Sequence, residues 1–249
     1  MFQASSRRDY KMANLCDLHT HSVLSGHAYS SLTENIQSAK ASGLKYYGIS
    51  EHQYDDKGVG AHPYAFANQV VIPRKSDELT ILRGIELNIL PDGSIEHSKL
   101  NMDRFDYCIA SMHSYVYPFS EDVAANTAAY LQALKEDYVT ILGHIDDDRY
   151  KADYETIIKE AKRLNKVIEL NNSSLNPQGS RKDCRHNDRK ILELCAKYEQ
   201  PIIVNSDAHI CYDVGKCQAA FLLIDECAFP KELVLNYNDG LFQKLILKQ

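Results

Sequence analysis

The stretch Asn14-Leu-Cys-Asp-Leu-His-Thr-His21 joins a short apolar run to two histidines that are separated by one residue. A run of this length is typical of a buried β-strand, and side chains at positions i and i+2 of a strand point to the same face. His19 and His21 can therefore hold one metal ion together. A single His-x-His pair is a weak signal, so its meaning depends on the rest of the chain.

The same arrangement recurs along the chain, because successive apolar runs end at a histidine or a carboxylate. The predicted strands are residues 14–18, 44–50, 79–85, 105–111, 138–143, 166–170 and 201–206. The candidate ligands beyond these ends, with His27 in the first loop, are His19, His21, His52, Glu86, His113, His144, Asp207 and His209. Scattered structural histidines would not all follow the same end of successive strands. The other three histidines, His62, His97 and His186, sit in polar segments and are expected to be structural.

Helical periodicity lies between the predicted strands, at residues 31–42, 126–135, 153–164 and 188–198, and Gly43 suits the end of the first helix. Alternating strands and helices predict βα units and a parallel sheet. A chain of 249 residues is long enough for one α/β barrel, whose chemistry sits at the carboxyl ends of its strands. We expect a single barrel over residues 14–249 behind a tail, residues 1–13, that lacks the apolar stretch of a secretory signal.

Composition narrows the functional classes. The chain is 44% hydrophobic and 25% charged, and no apolar run approaches the length of a membrane span. A net charge of −6 disfavours a polynucleotide and favours a small substrate. Seven cysteines without a Cys-x-x-Cys pair indicate reduced thiols in a cytoplasmic protein. Cys16 and Cys108 are expected in the core, and Cys211 either there or near the metals.

The residue types of the candidate site indicate its chemistry. Imidazole with carboxylate suits zinc, and also manganese or iron. The absence of cysteine from the nine positions favours a catalytic centre with open coordination positions over a closed structural one. Glu86 is the only glutamate among the nine, and its two oxygens allow it to bridge two ions.

These residues carry a resemblance to the PHP (polymerase and histidinol phosphatase) family, closest to its YcdX-like phosphatases. The matching segments are Asp17-Leu-His-Thr-His21, Gly48-Ile-Ser-Glu-His52, Arg83-Gly-Ile-Glu86, Ala110-Ser-Met-His113, Gly143-His144, Glu169-Leu-Asn-Asn-Ser-Ser174 and Asn205-Ser-Asp-Ala-His209. The resemblance implies a distorted (β/α)7 barrel similar to a TIM barrel, three divalent metal ions per chain, phosphoesterase activity and a trimer as one possible homo-oligomer.

Carried onto matching positions, the resemblance assigns three sets of ligands. His19, His21, Glu86 and Asp207 would hold a first ion, His27, His52 and His209 a second, and Glu86, His113 and His144 a third. We therefore expect hydrolysis of small phosphomonoesters by a hydroxide that bridges metal ions, with Glu86 and Asp207 as its catalytic carboxylates. Such a centre would be positive enough to attract phosphate to an acidic protein.

Several further residues are candidates for the substrate side of the site. Arg181 and Arg189 could bind phosphate, or be solvated surface side chains. Glu51 and Asp146 lie near enough in sequence to be considered as the acid that protonates the leaving group. The segment 171–174, with two asparagines and two serines, could support the site or simply turn the chain. The long segments 53–74 and 171–187 could be recognition loops, lids or irregular surface.

Other functions remain open. A narrower reading is histidinol-phosphate phosphatase. A second enzyme class is the amidohydrolase type, which also begins with His-x-His but typically adds a bridging lysine from a middle strand; no lysine ends the third, fourth or fifth predicted strand here. A degenerate barrel that only binds or regulates would be expected to lose ligands, and none of the nine is lost.

Overall fold

The computed structural model describes residues 14–54, 60–95 and 100–249. Its strands are β1 (Cys16–Asp17), β2 (Tyr46–Ile49), β3 (Lys75–Ser76), β4 (Leu79–Asn88), β5 (Tyr107–Ser111), β6 (Ile141–Leu142), β7 (Val167–Asn171) and β8 (Ile202–Asn205). All of them except β3 pair in parallel, in the order β1-β2-β4-β5-β6-β7-β8. Each of the seven predicted strands coincides with one of these, although β4 continues three residues past its predicted end.

The helices are α1 (Leu32–Ala41), α2 (Pro63–Ala67), α3 (Val123–Leu134), α4 (Tyr154–Arg163), α5 (Cys184–Lys197), α6 (Gln218–Glu226) and α7 (Asp239–Leu245). The α1 helix begins at a capping box, in which the Ser31 hydroxyl accepts from the Glu34 N–H and the Glu34 carboxylate accepts from the Ser31 N–H. Gly43 follows this helix with φ +72°, as its predicted position after the helix requires. The four predicted helices correspond to α1, α3, α4 and α5.

Of the strands and helices named above, periodicity did not predict β3, α2, α6 and α7. The β3 strand has two residues and pairs with β4 antiparallel. The α2 helix is one turn within the segment 53–74, and His62 caps it by accepting from the Tyr64 N–H through Nδ1. His62 is thus structural, as expected, whereas His97 lies outside the described residues.

The sheet nearly closes on itself between its first and last strands. Just beyond β1 and β8, Thr20 and Ala208 form an isolated parallel bridge, and the His21 N–H donates to the Ala208 C=O at 2.8 Å. Two residues before Thr20, the Leu18 N–H donates to Asn205 Oδ1 at 2.8 Å. The architecture is therefore a distorted (β/α)7 barrel similar to a TIM barrel, which confirms the predicted fold class.

The interior of the barrel is filled at its amino end. The ring of Tyr107 lies inside it, buried, and its hydroxyl donates to the Leu18 C=O at 2.5 Å. A Cβ atom at Gly48 or Gly84 would overlap this ring, so the two glycines make room for it. Phe242 and Ile246, at the end of the chain, belong to the same interior cluster. The polar side chains of the interior are left to the opposite, carboxyl end.

In the part of the chain that the structure describes, no helix is both long enough and apolar enough to cross a membrane.

Candidate metal centre

The nine candidate ligands converge at the carboxyl end of the barrel, around the buried carboxylate of Glu86. Glu86 lies in β4 and has no exposed surface. Its Oε1 atom is 3.2 Å from His19 Nε2, 3.1 Å from His113 Nε2 and 3.1 Å from His144 Nε2. Its Oε2 atom is 2.8 Å from His52 Nδ1 and 3.6 Å from His21 Nε2. The Glu86 carboxylate, in the third parallel strand, thus meets imidazoles from the segments that follow four other strands, β1, β2, β5 and β6.

Asp207, which follows β8, forms the other anionic side of the centre. Its Oδ1 atom is 3.3 Å from His21 Nε2 and 3.6 Å from His19 Nε2. Its Oδ2 atom faces away from these rings and accepts from Arg181 Nη2 at 3.0 Å and from Asn171 Nδ2 at 3.2 Å. The two oxygens of Asp207 are therefore divided between the imidazoles and an arginine.

Hydrogen bonds at Nδ1 fix which nitrogen of several rings is free. His19 Nδ1 lies 2.8 Å from Glu169 Oε1, and His113 Nδ1 lies 2.7 Å from Asn88 Oδ1. In the same way, His27 Nδ1 meets the Ser25 C=O at 3.1 Å and His209 Nδ1 meets the Asp207 C=O at 3.0 Å. Carboxylate, amide and carbonyl oxygens only accept, so Nδ1 carries the hydrogen and Nε2 of each ring is left as an electron-pair donor.

These free nitrogens face other electron pairs instead of hydrogen donors. His27 Nε2 and His209 Nε2 lie only 2.9 Å apart. Among the described residues, His19 Nε2, His21 Nε2, His52 Nδ1, His113 Nε2 and Glu86 Oε2 are buried side-chain atoms without a hydrogen-bond partner. Buried polar atoms are rarely left unpaired, and electron pairs this close repel unless a cation lies between them. The donor set therefore fits metal ions.

Three groups of these atoms are close enough to share an ion, each with its ligand atoms within 4.8 Å of one another. They are His19, His21 and Asp207; His21, His52 and His209; and His52, Glu86 and His113. His27 joins the second group through its contact with His209, and His144 joins the third through Glu86. The structure brings all nine candidates together, with His21 and His52 each placed between two groups.

The charges of the centre shift its pKa values strongly. Burial alone would raise the pKa of the Glu86 carboxyl, but the imidazoles of His19, His52 and His113 hold that pKa well below its usual range. Burial would lower the pKa of His19, but the carboxylates of Glu169, Glu86 and Asp207 overcome it and raise that pKa well above the ordinary value. The carboxylates thus favour a positive charge at this position, whether a proton or a metal ion supplies it.

On the opposite side of the centre the balance is reversed. Burial, with the neighbouring rings of His52 and His209, lowers the pKa of His21 and of His27. These two imidazoles stay neutral at a pH where an ordinary histidine begins to be protonated, and a neutral imidazole is the form that binds a metal.

Two of the candidate ligands adopt backbone conformations that are uncommon outside glycine. His144 has φ +28° and Asp207 has φ +55°. Left-handed backbone at non-glycine residues costs free energy and occurs where the surrounding structure imposes it, often at functional sites. In both residues the turn directly after the strand places the side chain in the centre, with His144 Nε2 3.1 Å from Glu86 Oε1 and Asp207 Oδ1 3.3 Å from His21 Nε2.

Glu169, in β7, supports the centre without being one of the nine. Its Oε1 accepts from His19 Nδ1 and from Asn205 Nδ2 at 2.9 Å, while its Oε2 accepts from the His144 N–H at 2.9 Å and from Asn171 Nδ2 at 3.1 Å. This buried carboxylate holds two ligand residues and two strands in register. It belongs to a motif quoted above, and a glutamate in an otherwise apolar strand was the signal that could have identified it.

Of the two carboxyl groups considered as proton donors, Glu51 is engaged elsewhere. It is buried, and it accepts hydrogen bonds from the hydroxyls of Ser22 and Ser25. Burial raises the pKa of its carboxyl, and these hydrogen bonds act in the opposite direction. Asp146 is also buried; its pKa is raised by burial, against the opposing charges of Arg181 and His144.

A pocket of about 240 Å³ opens beside the ligands and is lined by His113, His144, Asp207 and His209. Arg181 lines it as well, and so do Ser173, Gly179 and Ser180 of the segment 171–187. Arg149, which the sequence did not single out, also lines the pocket and is held by the Asp147 carboxylate through Nε at 2.9 Å. The segment 171–187 therefore borders the site, whereas no described residue of the segment 53–74 lines this pocket.

Arg189 does not join this site. It lies on α5, about half exposed, and pairs with Glu226, as does Arg185. The two predicted arginines thus differ: Arg181 faces the pocket and Arg189 belongs to a surface ion pair on the helix.

The supporting segment and the cysteines can also be assigned. Asn171 donates to Glu169 and Asp207, and Ser174 Oγ accepts from Arg181 Nη1 at 3.2 Å, so these two residues do support the site. Asn172 instead accepts from the Ala220 N–H, away from the ligands. All seven cysteines are free thiols; Cys16 and Cys108 are buried in the core as expected, and Cys211 is partly exposed.

Comparison with known proteins agrees with this geometry. The family model described as the PHP domain matches residues 17–178, and a second, described as PHP-associated, matches residues 185–232. The chain therefore belongs to the PHP domain family. The second segment contains β8, which pairs with β7 in the same sheet.

Relatives with similar sequences carry the name probable phosphatase. One, from Caldanaerobacter subterraneus subsp. tengcongensis, is 39% identical over 91% of this chain and 88% of its own length. Another, from Clostridium acetobutylicum, is 38% identical over 92% of each chain. Among solved structures, the histidinol phosphate phosphatase of Lactococcus lactis, complexed with zinc, L-histidinol and phosphate, has a TM-score of 0.62 at 16% identity, covering 87% of this chain and 95% of its own. This last likeness shows the fold alone.

Proposed function

We propose that this protein is a metal-dependent phosphatase that hydrolyses small phosphomonoesters. The observation that carries the proposal is the set of free imidazole nitrogens around Glu86 and Asp207, directly beside a pocket lined by Arg181. Relatives named probable phosphatase, which match over most of this chain, support it.

The nine residues would hold three divalent ions. The proposed sets are His19, His21, Glu86 and Asp207 for the first, His27, His52 and His209 for the second, and Glu86, His113 and His144 for the third. Zinc is our first choice because imidazoles dominate the set, and manganese or iron are the alternatives. When bound, such ions lower the pKa of a water molecule and neutralise charge on the phosphoryl oxygens.

The protein's own groups would position the substrate. Arg181 is held by Asp207, Asn171 and Ser174, so its guanidinium is oriented before any ligand arrives. A guanidinium can contact two phosphate oxygens at once, and a side chain that is already oriented loses little freedom when it does so. Arg149, which also lines the pocket and is held by Asp147, adds a second guanidinium. We assign phosphate binding to Arg181.

The ligand network would keep the ions in place during turnover. Glu169 fixes the ring of His19, and Asn88 fixes that of His113. Glu86 lies among the ligands, with an imidazole nitrogen close to each of its two oxygens. Partners of this kind hold a ligand ring in one orientation and increase its basicity. Glu86 and Asp207 are in this proposal the carboxylates on which activity depends.

The test is phosphate release from a panel of phosphomonoesters, with the metal content of the same protein measured by mass spectrometry. Histidinol phosphate and common sugar phosphates are the first substrates to include. Release that requires bound metal supports the proposal, and strong turnover of one compound would name the substrate. Metal-replete protein that releases no phosphate from any of them, but hydrolyses amide or lactone substrates, would replace it with the amidohydrolase alternative.

A further inference from the structure

Ser25 lies between His21 and His27 in the sequence and contacts three candidate ligands, these two and His52. It ends a one-turn 3-10 helix, Val23–Ser25, that separates His21 from His27. Its hydroxyl oxygen accepts from the His52 N–H at 3.0 Å and lies 3.3 Å from His21 Nδ1, while its C=O accepts from His27 Nδ1 at 3.1 Å. One small residue thus contacts the rings of His21 and His27 and the backbone of His52.

The single proton of the Ser25 hydroxyl is committed to Glu51. The Glu51 carboxylate is buried, and both of its oxygens face donors: the Ser22 N–H at 3.1 Å from each, the Ser22 hydroxyl, and the Ser25 hydroxyl at 2.5 Å. A carboxylate surrounded by donors acts only as an acceptor. Ser25 therefore donates to Glu51 and can only accept from its other neighbours.

The direction of this hydrogen bond decides which ring nitrogen of neutral His21 carries the hydrogen. Because Ser25 Oγ accepts, His21 Nδ1 must carry the hydrogen of the neutral ring, and His21 Nε2 is left free. That free atom is buried, without a hydrogen-bond partner among the described residues, and points at Asp207 Oδ1 and Glu86 Oε2. Were the Ser25 proton turned towards His21, the ring would instead carry its hydrogen on the side where an ion would bind.

We propose that Glu51, acting through Ser25, is a positioning residue that keeps His21 in the form with a free Nε2 and so maintains one metal site of this centre. The inference rests on the proposed metal-dependent function, and it gives Glu51 a role other than proton donation to the leaving group. Neither residue contacts an ion or substrate in this role; both act through His21.

The experiment has two readouts, the tautomer of His21 in metal-free protein and the affinity of each zinc in the loaded protein, because zinc bound at Nε2 would itself hold the hydrogen on Nδ1 in every variant. Long-range ¹H–¹⁵N correlation spectra report which ring nitrogen is protonated, and His21→Gln identifies the signal. Zinc affinities come from competition with a chelator. Ser25→Ala removes the acceptor of His21 Nδ1. Glu51→Gln places an amide donor opposite the two hydroxyls and releases Ser25 to donate to His21. Ser22→Ala is the control: it removes the other hydroxyl from Glu51, no histidine hydrogen-bonds to that hydroxyl among the described residues, and its further partner is the Leu24 N–H at 3.3 Å.

We expect His21 to carry its hydrogen on Nδ1 in the unsubstituted protein and to show the other tautomer in Ser25→Ala and Glu51→Gln. Loss of a partner that orients a ligand weakens metal affinity by about 10- to 100-fold, so one zinc of three should be weakened by that factor while the others are unchanged. Ser22→Ala should match the unsubstituted protein in both readouts.

Two results would overturn the proposal. One is retention of the Nδ1–H tautomer and of all zinc affinities in both variants. The other, which needs no variant to fold, is a His21 signal without a hydrogen on Nδ1 in the metal-free, unsubstituted protein. Phosphate release is measured separately, so metal-replete protein with no phosphatase turnover would reject the proposed function and leave the result on His21 standing.

Discussion

Arg181 and Asp207 form an ion pair that joins the substrate pocket to the ligands. Arg181 Nη2 donates to Asp207 Oδ2 at 3.0 Å, while Asp207 Oδ1 lies 3.3 Å from His21 Nε2. Arg181 in turn holds the pKa of the Asp207 carboxyl down, together with His19 and against the effect of burial. A phosphate bound to Arg181 would therefore be connected to the ions through a single side chain, that of Asp207.

Arg181→Ala should lower kcat/KM for phosphomonoesters by about 10- to 100-fold, because a hydrogen bond to a charged group contributes roughly 1.5 to 3 kcal/mol. Steady-state kinetics on the best substrate of the panel measures the change. Arg189→Ala is the matched control, since that arginine pairs with Glu226 outside the pocket. Equal losses in the two variants would remove Arg181 from phosphate binding.

Glu86→Gln should abolish activity and reduce the metal content. The substitution preserves size but removes the negative charge that all the surrounding imidazoles share, and it replaces one oxygen by an NH2 group that cannot bind a cation. Metal analysis and phosphate release on the same sample measure both effects. A metal-replete and fully active variant would contradict the role of Glu86 as the bridging ligand.

His27→Ala should empty one metal site and leave two occupied. His27 contacts the centre from the loop after β1, with its Nε2 atom 2.9 Å from His209 Nε2 and its ring stacked on that of His52, whereas Glu86 and Asp207 lie among the other ligands. The measurement is metal stoichiometry per chain after removal of loosely bound ions. Three ions per chain in the variant would show that His27 is not a ligand.

Gly84→Ala should destabilise the fold by about 1 to 3 kcal/mol, the usual cost of overpacking a core. A Cβ atom at this position would overlap the buried ring of Tyr107, which is held in place by its hydrogen bond to Leu18. Gly240→Ala in α7 is the control, because its nearest neighbour would be an ordinary 3.7 Å away and alanine favours a helix. Chemical denaturation measures both; equal stabilities would mean that the ring moves aside easily.

The sequence predicted the parallel strands and the meeting of the ligands for one physical reason. Strands of a barrel bring their carboxyl ends to one place, so residues that follow those ends must converge regardless of their distance in sequence. For example, His19 Nε2 lies 3.6 Å from Asp207 Oδ1 across the centre. Strand periodicity and residue type were sufficient for this step.

The remaining features depend on contacts that a linear pattern does not contain. The sequence places Arg181 in the segment 171–187 and Arg189 in a predicted helix, but it does not show that Arg181 meets Asp207 while Arg189 pairs with Glu226. The supporting roles of Glu169 and Ser25 depend on which acceptor meets which ring nitrogen. The α6 helix was not predicted because its apolar residues surround it and leave no polar stripe, and β3 is too short to produce a pattern.

The junction between the first and last strands has a further consequence. Backbone pairing there is limited to a bridge at Thr20 and Ala208, and the side-chain bond from Leu18 to Asn205 joins residues 187 positions apart in sequence. Ions held by His19 and His21 on one side and by Asp207 and His209 on the other would cross-link the two sides of this junction. Folding and metal uptake would then be one process, and a chelator would loosen the barrel along this line before any other part of it.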